Sequence, residues 1–137
     1  ASLGAKIIYI HPEIDPHACR TLQMIKDAGA KAGIAINPGT SFETVKDLLH
    51  LCDYVMLMSV NPGFAGQKYL DFVTPKFKKF VDAKNYGGYD VMIDGACSPE
   101  KIEMLSKMGV KGFILGTSAL FGKDKSYQEI INELRGL

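Results

Sequence analysis

An Asp-Gly-Ala step, Asp94-Gly95-Ala96, places a carboxylate directly after an apolar run and before two small residues. A carboxylate so placed can move a proton or ligate a metal. Small neighbours let backbone N–H groups approach an anion. Gly116-Thr117-Ser118 offers the same kind of small-residue turn. The loop Val60-Asn61-Pro62-Gly63-Phe64-Ala65-Gly66-Gln67 combines two glycines and a proline around Phe64, a composition suited to a lid that closes over a ligand. His11-Pro12-Glu13 and Asn37-Pro38-Gly39-Thr40 complete the set. Taken singly, most have a plain structural reading. Asn-Pro-Gly-Thr is a turn that starts a helix, with Thr40 or Ser41 as N-cap. Asp94-Gly95 suits a tight turn, His11 a packed histidine, and Met56 and Met58 core filler. Gly116 to Ser118 suits a plain strand-to-helix turn with Ser118 as cap.

Each of these segments follows an apolar run: 6–10, 32–36, 54–59, 89–93 and 111–115. The runs lack clean polar alternation, as strands buried on both faces do. Helical segments separate them. Ala18, Leu22 and Ile25 share one face, with Gly29 as a C-cap. Val45, Leu48 and Leu49 share another. Ser98-Pro99-Glu100 opens a helix that runs through Ile102 and Leu105 to Gly109, and the last helix spans roughly Ser126 to Leu134. Five strand-helix repeats predict right-handed crossovers and a parallel sheet in one domain, residues 1–137. The strand starts are spaced by about 26 residues, so eight such units would need roughly 210 residues, the size of a small (β/α)8 barrel. Five units do not close a barrel. On length alone, a five-stranded open sheet of the flavodoxin type fits better.

The bulk composition narrows the partners. Hydrophobic residues make up 47% and charged residues 23%, with a formal net charge of +1. No basic run points to nucleic acid, and no apolar stretch approaches the roughly 20 residues of a membrane span. The N-terminal residues do not read as a secretory signal. Cys19, Cys52 and Cys97 are odd in number and widely spaced, which fits a reducing, cytoplasmic setting.

Together the motifs resemble the ribulose-phosphate 3-epimerase family. MSVNPGFAGQKYL (58–70), IDGACSPEKI (93–102) and GVKGFILGTSALF (109–121) are similar to its last three strand-helix units. IIYIHPE (7–13) and GIAINPGT (33–40) are similar to its fourth and fifth. The resemblance covers essentially the whole chain, in order. It reverses the choice of fold, implying a parallel (β/α)8 TIM barrel of which this chain holds the last five units. It implies C3 epimerisation of a ketose phosphate, ribulose 5-phosphate to xylulose 5-phosphate, through an enediolate. Asp94 would be an acid/base and a ligand of one divalent metal ion (Zn, Fe2+ or Mn). Met58 and His11 would line the site. Gly63, Phe64, Ala65 and Gly66 would close over the substrate. Asp94, Gly95, Ala96, Gly116, Thr117 and Ser118 would bind substrate, with the phosphate at a helix N-terminus. A sugar phosphate and a homo-oligomer are the implied partners.

Two departures qualify this. The family's Asp-Gly-Gly is Asp-Gly-Ala here, which, with His-Pro-Glu, resembles the branch acting on hexulose 6-phosphates such as allulose 6-phosphate. The family's first three units, with two histidine ligands, a second aspartate and a substrate serine, have no counterpart. The chain is therefore expected to be a partial sequence and inactive alone. Competing readings are another phosphate-binding barrel, although the Asp-x-Lys-x-x-Asp of orotidine-phosphate decarboxylases is absent, and a fragment that only binds phosphate or self-associates.

Overall fold

The computed structural model describes residues 1–137, the side chain of Lys84 excepted. Five strands alternate with helices: β1 (Ile7–Ile10), α1 (Ala18–Asp27), β2 (Lys31–Ile36), α2 (Phe42–Val45), β3 (Tyr54–Met58), α3 (Thr74–Asp82), β4 (Asp90–Asp94), α4 (Pro99–Met108), β5 (Gly112–Ile114) and α5 (Tyr127–Arg135). Every strand pairs in parallel with its sequence neighbour, in the order β1-β2-β3-β4-β5. This excludes the flavodoxin-type alternative, whose first two strands exchange places.

The helix boundaries follow local chemistry. Ser98 caps α4 by accepting from Lys101 N–H, Pro99 follows at the first helical position, and Gly109 ends the helix at φ +108°. Ser41, not Thr40, caps α2, which is one short turn continued by a 3-10 segment, Lys46–Leu51. Ser126 and Glu129 form a capping box at the start of α5.

The core lies between the helices and one face of the sheet. Ala32, Ile34, Ile36, Val55, Leu57, Val91 and Ile93 pack there with Leu22, Ile25, Val45, Leu49, Phe77, Phe80, Ile102 and Leu105. Each strand contributes alternate residues, so the helices cover a single face, as they do in a barrel wall. The opposite face is concave. The Tyr9 hydroxyl reaches the Met92 sulfur at 2.8 Å, although β1 and β4 are three strands apart, roughly 14 Å on a flat sheet. Only strong curling brings them together. Small residues make room for large ones on this face. A side chain at Gly33 would meet the Tyr9 ring at 2.6 Å, and one at Gly112 would strike the Met92 side chain. The fold is thus five consecutive units of a (β/α)8 barrel. The expectation of strands buried on both faces holds best for β2 and β3. On the edge strands, Ile7 and Ile114 are 36% and 44% exposed on the concave side, because nothing in this chain covers that face there.

Candidate functional site

A cleft of about 340 Å3 opens at the C-terminal ends of β3, β4 and β5. Its walls are Met58, the loop Val60 to Gln67, Asp94 to Cys97, and Ile114 to Ser118. Strand register explains the grouping. Met58 lies beside Asp94, and Asp94 beside Ile114, so three strand ends present one row to the cleft. The sequence candidates Met58, Gly63, Phe64, Ala65, Gly66, Asp94, Gly95, Ala96, Gly116, Thr117 and Ser118 therefore share one cavity. His11 stands apart from it. It faces a neighbouring hollow with Ile14, Asn37 and Gly39, which shares Asn61 and Pro62 with the cleft. A larger hollow of about 490 Å3 lies outside the sheet, between Pro12–Arg20 and Thr40–Leu48. Its Asp15 already accepts from Thr21 and from His17 N–H.

Burial pushes the Asp94 carboxyl above its ordinary value, opposed by a hydrogen bond from Gly95 N–H. That keeps its two protonation states closer in energy at neutral pH, which suits a group that must take and return a proton. Cys97 is the other ionisable residue of the cleft, and burial pushes its thiol up to about 12, so it stays neutral.

The small-residue turns expose backbone donors. Gly95 sits at φ +115° and Ala96 at φ +48°. Among the described residues Ala96 is the only non-glycine with positive φ. This conformation gives a physical reason for glycine at the position and shows what the alanine costs, roughly 1–2 kcal/mol of backbone strain. Glycine's greater freedom in the unfolded chain offsets part of any gain. Ala96→Gly is therefore expected to stabilise the chain by about 0.5–1 kcal/mol, read as a higher urea midpoint at unchanged slope.

The second turn departs from the expected helix N-terminus. Ala119, Leu120 and Phe121 N–H all donate to Gly116 O, closing one isolated turn, and α5 starts only at Tyr127. Ser126, not Ser118, is the cap, because only Ser126 is followed three residues later by a glutamate that completes the box. The N–H groups of Ala96, Thr117 and Ser118 have no acceptor among the described residues and border the cleft. An anion there would meet backbone donors without a full helix behind them.

The loop of residues 60–67 is held in shape from within. The Gln67 amide donates to Asn61 O at 2.5 Å and Phe64 O at 3.0 Å. Phe64 stays 74% exposed. Gly63 and Gly66 take positive φ, at +139° and +82°.

Sequence reasoning missed two residues that hold the loops after the strands. Lys76 on α3 donates to Pro38 O at 2.5 Å, Thr40 O at 2.7 Å and Asn37 O at 3.4 Å. Ser59 is fully buried and hydrogen-bonded to the Asp94–Gly95 backbone. Neither has a motif of its own. Glu13 joins the first group. Burial alone would raise its carboxyl, but hydrogen bonds from Asn37 N–H and the Thr40 hydroxyl, with His11 nearby, hold it below its ordinary value.

A divalent metal needs several ligands. Among the described residues no three His, Cys, Asp or Glu side chains converge on such a site, so these residues do not form a metal centre by themselves.

One-sided helices and a concave sheet of five parallel strands in sequence order define part of a barrel of the (β/α)8 class. Comparison with known proteins makes the family explicit. The chain belongs to the ribulose-phosphate 3 epimerase family, whose sequence model matches residues 1–121. It is similar to ribulose-phosphate 3-epimerase of Rhodobacter capsulatus (38% identical, covering 95% of this chain and 57% of that protein). The Bacillus subtilis protein of the same name is 36% identical, covering 99% and 63%. Ribulose-phosphate 3-epimerase 1 of Cupriavidus necator is 39% identical, covering 98% and 59%. The chain thus spans about 60% of the length of these relatives.

Proposed function

We propose that this chain forms the phosphate-binding and lid side of a ribulose 5-phosphate 3-epimerase site and supplies one of its two acid/base carboxylates. The observation that carries the reading is the single cleft in which Asp94, the lid loop and two donor-bearing turns meet. The C3 proton of a ketose phosphate is acidified by the neighbouring C2 carbonyl, and its removal gives an enediolate. Asp94 serves one face of C3, removing or returning the proton. Inversion requires a second acid/base on the opposite face, and Asp94 is the one carboxylate lining this cleft. Ala96, Thr117 and Ser118 N–H hold the phosphate. Gly63 to Gly66 close over the sugar and exclude water, which protects the enediolate from stray protonation. Met58, beside Asp94, keeps the surroundings apolar. A divalent ion (zinc, ferrous iron or manganese) would take Asp94 as one ligand and require the rest from outside the described residues. No helix of the structure is long and apolar enough to cross a membrane. The three free thiols fit a cytoplasmic protein, which is part of this proposal, as is a homo-oligomeric state.

The test is a titration of residues 1–137 with ribulose 5-phosphate, followed by amide NMR. Ala96, Thr117 and Ser118 are expected to shift together and saturably. Shifts confined to the opposite rim of the sheet, around Lys6 and Lys31, would contradict the reading. Allulose 6-phosphate in a parallel titration separates the pentulose from the hexulose substrate.

A further inference from the structure

Ser59 is the residue at which the lid loop and the carboxylate loop are joined. It follows β3, and its side chain is completely buried. Its N–H donates to Asp94 O at 3.0 Å. Its carbonyl accepts from Leu70 N–H at 2.9 Å, which pinches the two ends of the lid together. Its hydroxyl is shared between Gly95 O, in a short contact, and Asp94 O at 3.3 Å. The packing agrees with the hydrogen bonds. A side chain at Gly95 would strike Val60 Cγ2 at 2.7 Å, Ser59 Oγ at 3.0 Å and Val60 N at 3.1 Å. Gly95 is thus pressed against Ser59 and Val60, where the lid begins, with no space between.

We propose that Ser59 is a positioning residue that makes the lid, residues 60–69, and the turn after β4, residues 94–97, order as one unit. The hydroxyl pulls the Gly95 carbonyl towards the sheet. The peptide that follows is thereby turned so that Ala96 N–H faces the cleft, where it has no partner in the chain. The same residue fixes where the lid begins and ends. A sugar phosphate that draws the lid closed would therefore set the Asp94 side of the site in the same step. That consequence rests on the proposed epimerase reading. The coupling itself does not, so the test reads loop order and not turnover.

Hydrogen exchange is measured on residues 1–137 and on the Ser59→Ala, Ser59→Thr and Ser41→Ala chains. Ser41→Ala removes a hydroxyl that caps α2 and does not line the cleft, and it reports generic loosening. In Ser59→Ala, amides of both loops are expected to exchange roughly tenfold faster, the size expected for a lost hydrogen bond. Ser59→Thr keeps the hydroxyl and restores protection in both. Ser41→Ala leaves both loops unchanged. Inorganic phosphate supplies a spectroscopic signature: in the wild-type chain the amides of Gly66 and Ala96 both shift, and in Ser59→Ala the Gly66 shift is lost while Ala96 still responds. The proposal is overturned if Ser59→Ala loosens one loop alone or neither, or if Ser41→Ala loosens both as much. It is also overturned if Ser59→Thr behaves like Ser59→Ala, which would assign the effect to packing. A wild-type chain indifferent to phosphate counts against the anion cradle of the proposed function and leaves the exchange result to decide the coupling.

Discussion

Purified residues 1–137 are expected to show no epimerase turnover, with Zn2+, Mn2+ or Fe2+ present and with either ribulose 5-phosphate or allulose 6-phosphate as substrate. The reason is stoichiometric. Inversion at C3 needs proton transfer on both faces, and the cleft has Asp94 alone. Loss of one general acid or base typically costs about 10²–10⁴ in rate. The absence of a converging metal-ligand set among the described residues removes a second source of stabilisation for the enediolate. The structure adds a physical handicap. β1 and β5 are unpaired edges in this chain, and the concave face beside them is partly exposed, so the isolated chain should self-associate. Activity should appear when the remaining βα units of a relative are joined to the chain or mixed with it. Sedimentation and a coupled assay on the two preparations check both statements. Turnover by residues 1–137 alone, near that of a relative, would mean that a second acid/base lies within this chain, and His11 and Glu13 would be the first residues to substitute.

In such a completed barrel, Asp94→Asn should lower the rate by about 10²–10⁴, and in residues 1–137 alone it should leave the fold intact or firmer. Asparagine keeps the shape of the side chain but cannot accept the C3 proton, and it binds metal poorly. The stability side follows from linkage. Burial raises the Asp94 carboxyl in the folded chain, so the folded state holds its proton more tightly than the unfolded state does. Stability from this group is then greatest below its ordinary value and declines as pH rises through the raised folded value. Asparagine has no charge to desolvate. Residues 1–137 carrying Asp94→Asn should therefore melt at or above the temperature of the unsubstituted chain at neutral pH, and the difference should shrink as the pH is lowered through the carboxylate range. Thermal melts across that range check the sign. Solvent exchange of the C3 hydrogen checks the role, because an Asp94→Asn enzyme with near-normal exchange would remove Asp94 from the mechanism.

Much of this protein was legible in the residues alone. Alternating apolar runs and helical faces determined the five βα units, because burial against one core imposes those periods on the chain. Ser98-Pro99 and Gly109 marked the bounds of α4, because capping and left-handed backbone are local chemistry. The order of motifs along the chain brought out Asp94, the lid and the two small-residue turns, because strand C-terminal ends are where parallel folds gather function. Spacing alone could not choose between an open sheet and a barrel wall. That choice rests on curvature, visible only when Tyr9 meets Met92 across three strands over the space left by Gly33. Nor could the sequence show that Gly116–Phe121 closes a single turn instead of opening a helix, since the same small residues serve either conformation. Ser59 and Lys76 were invisible for the same reason. Their partners are backbone carbonyls 35 to 39 residues away, and carbonyls have no side-chain signature to read.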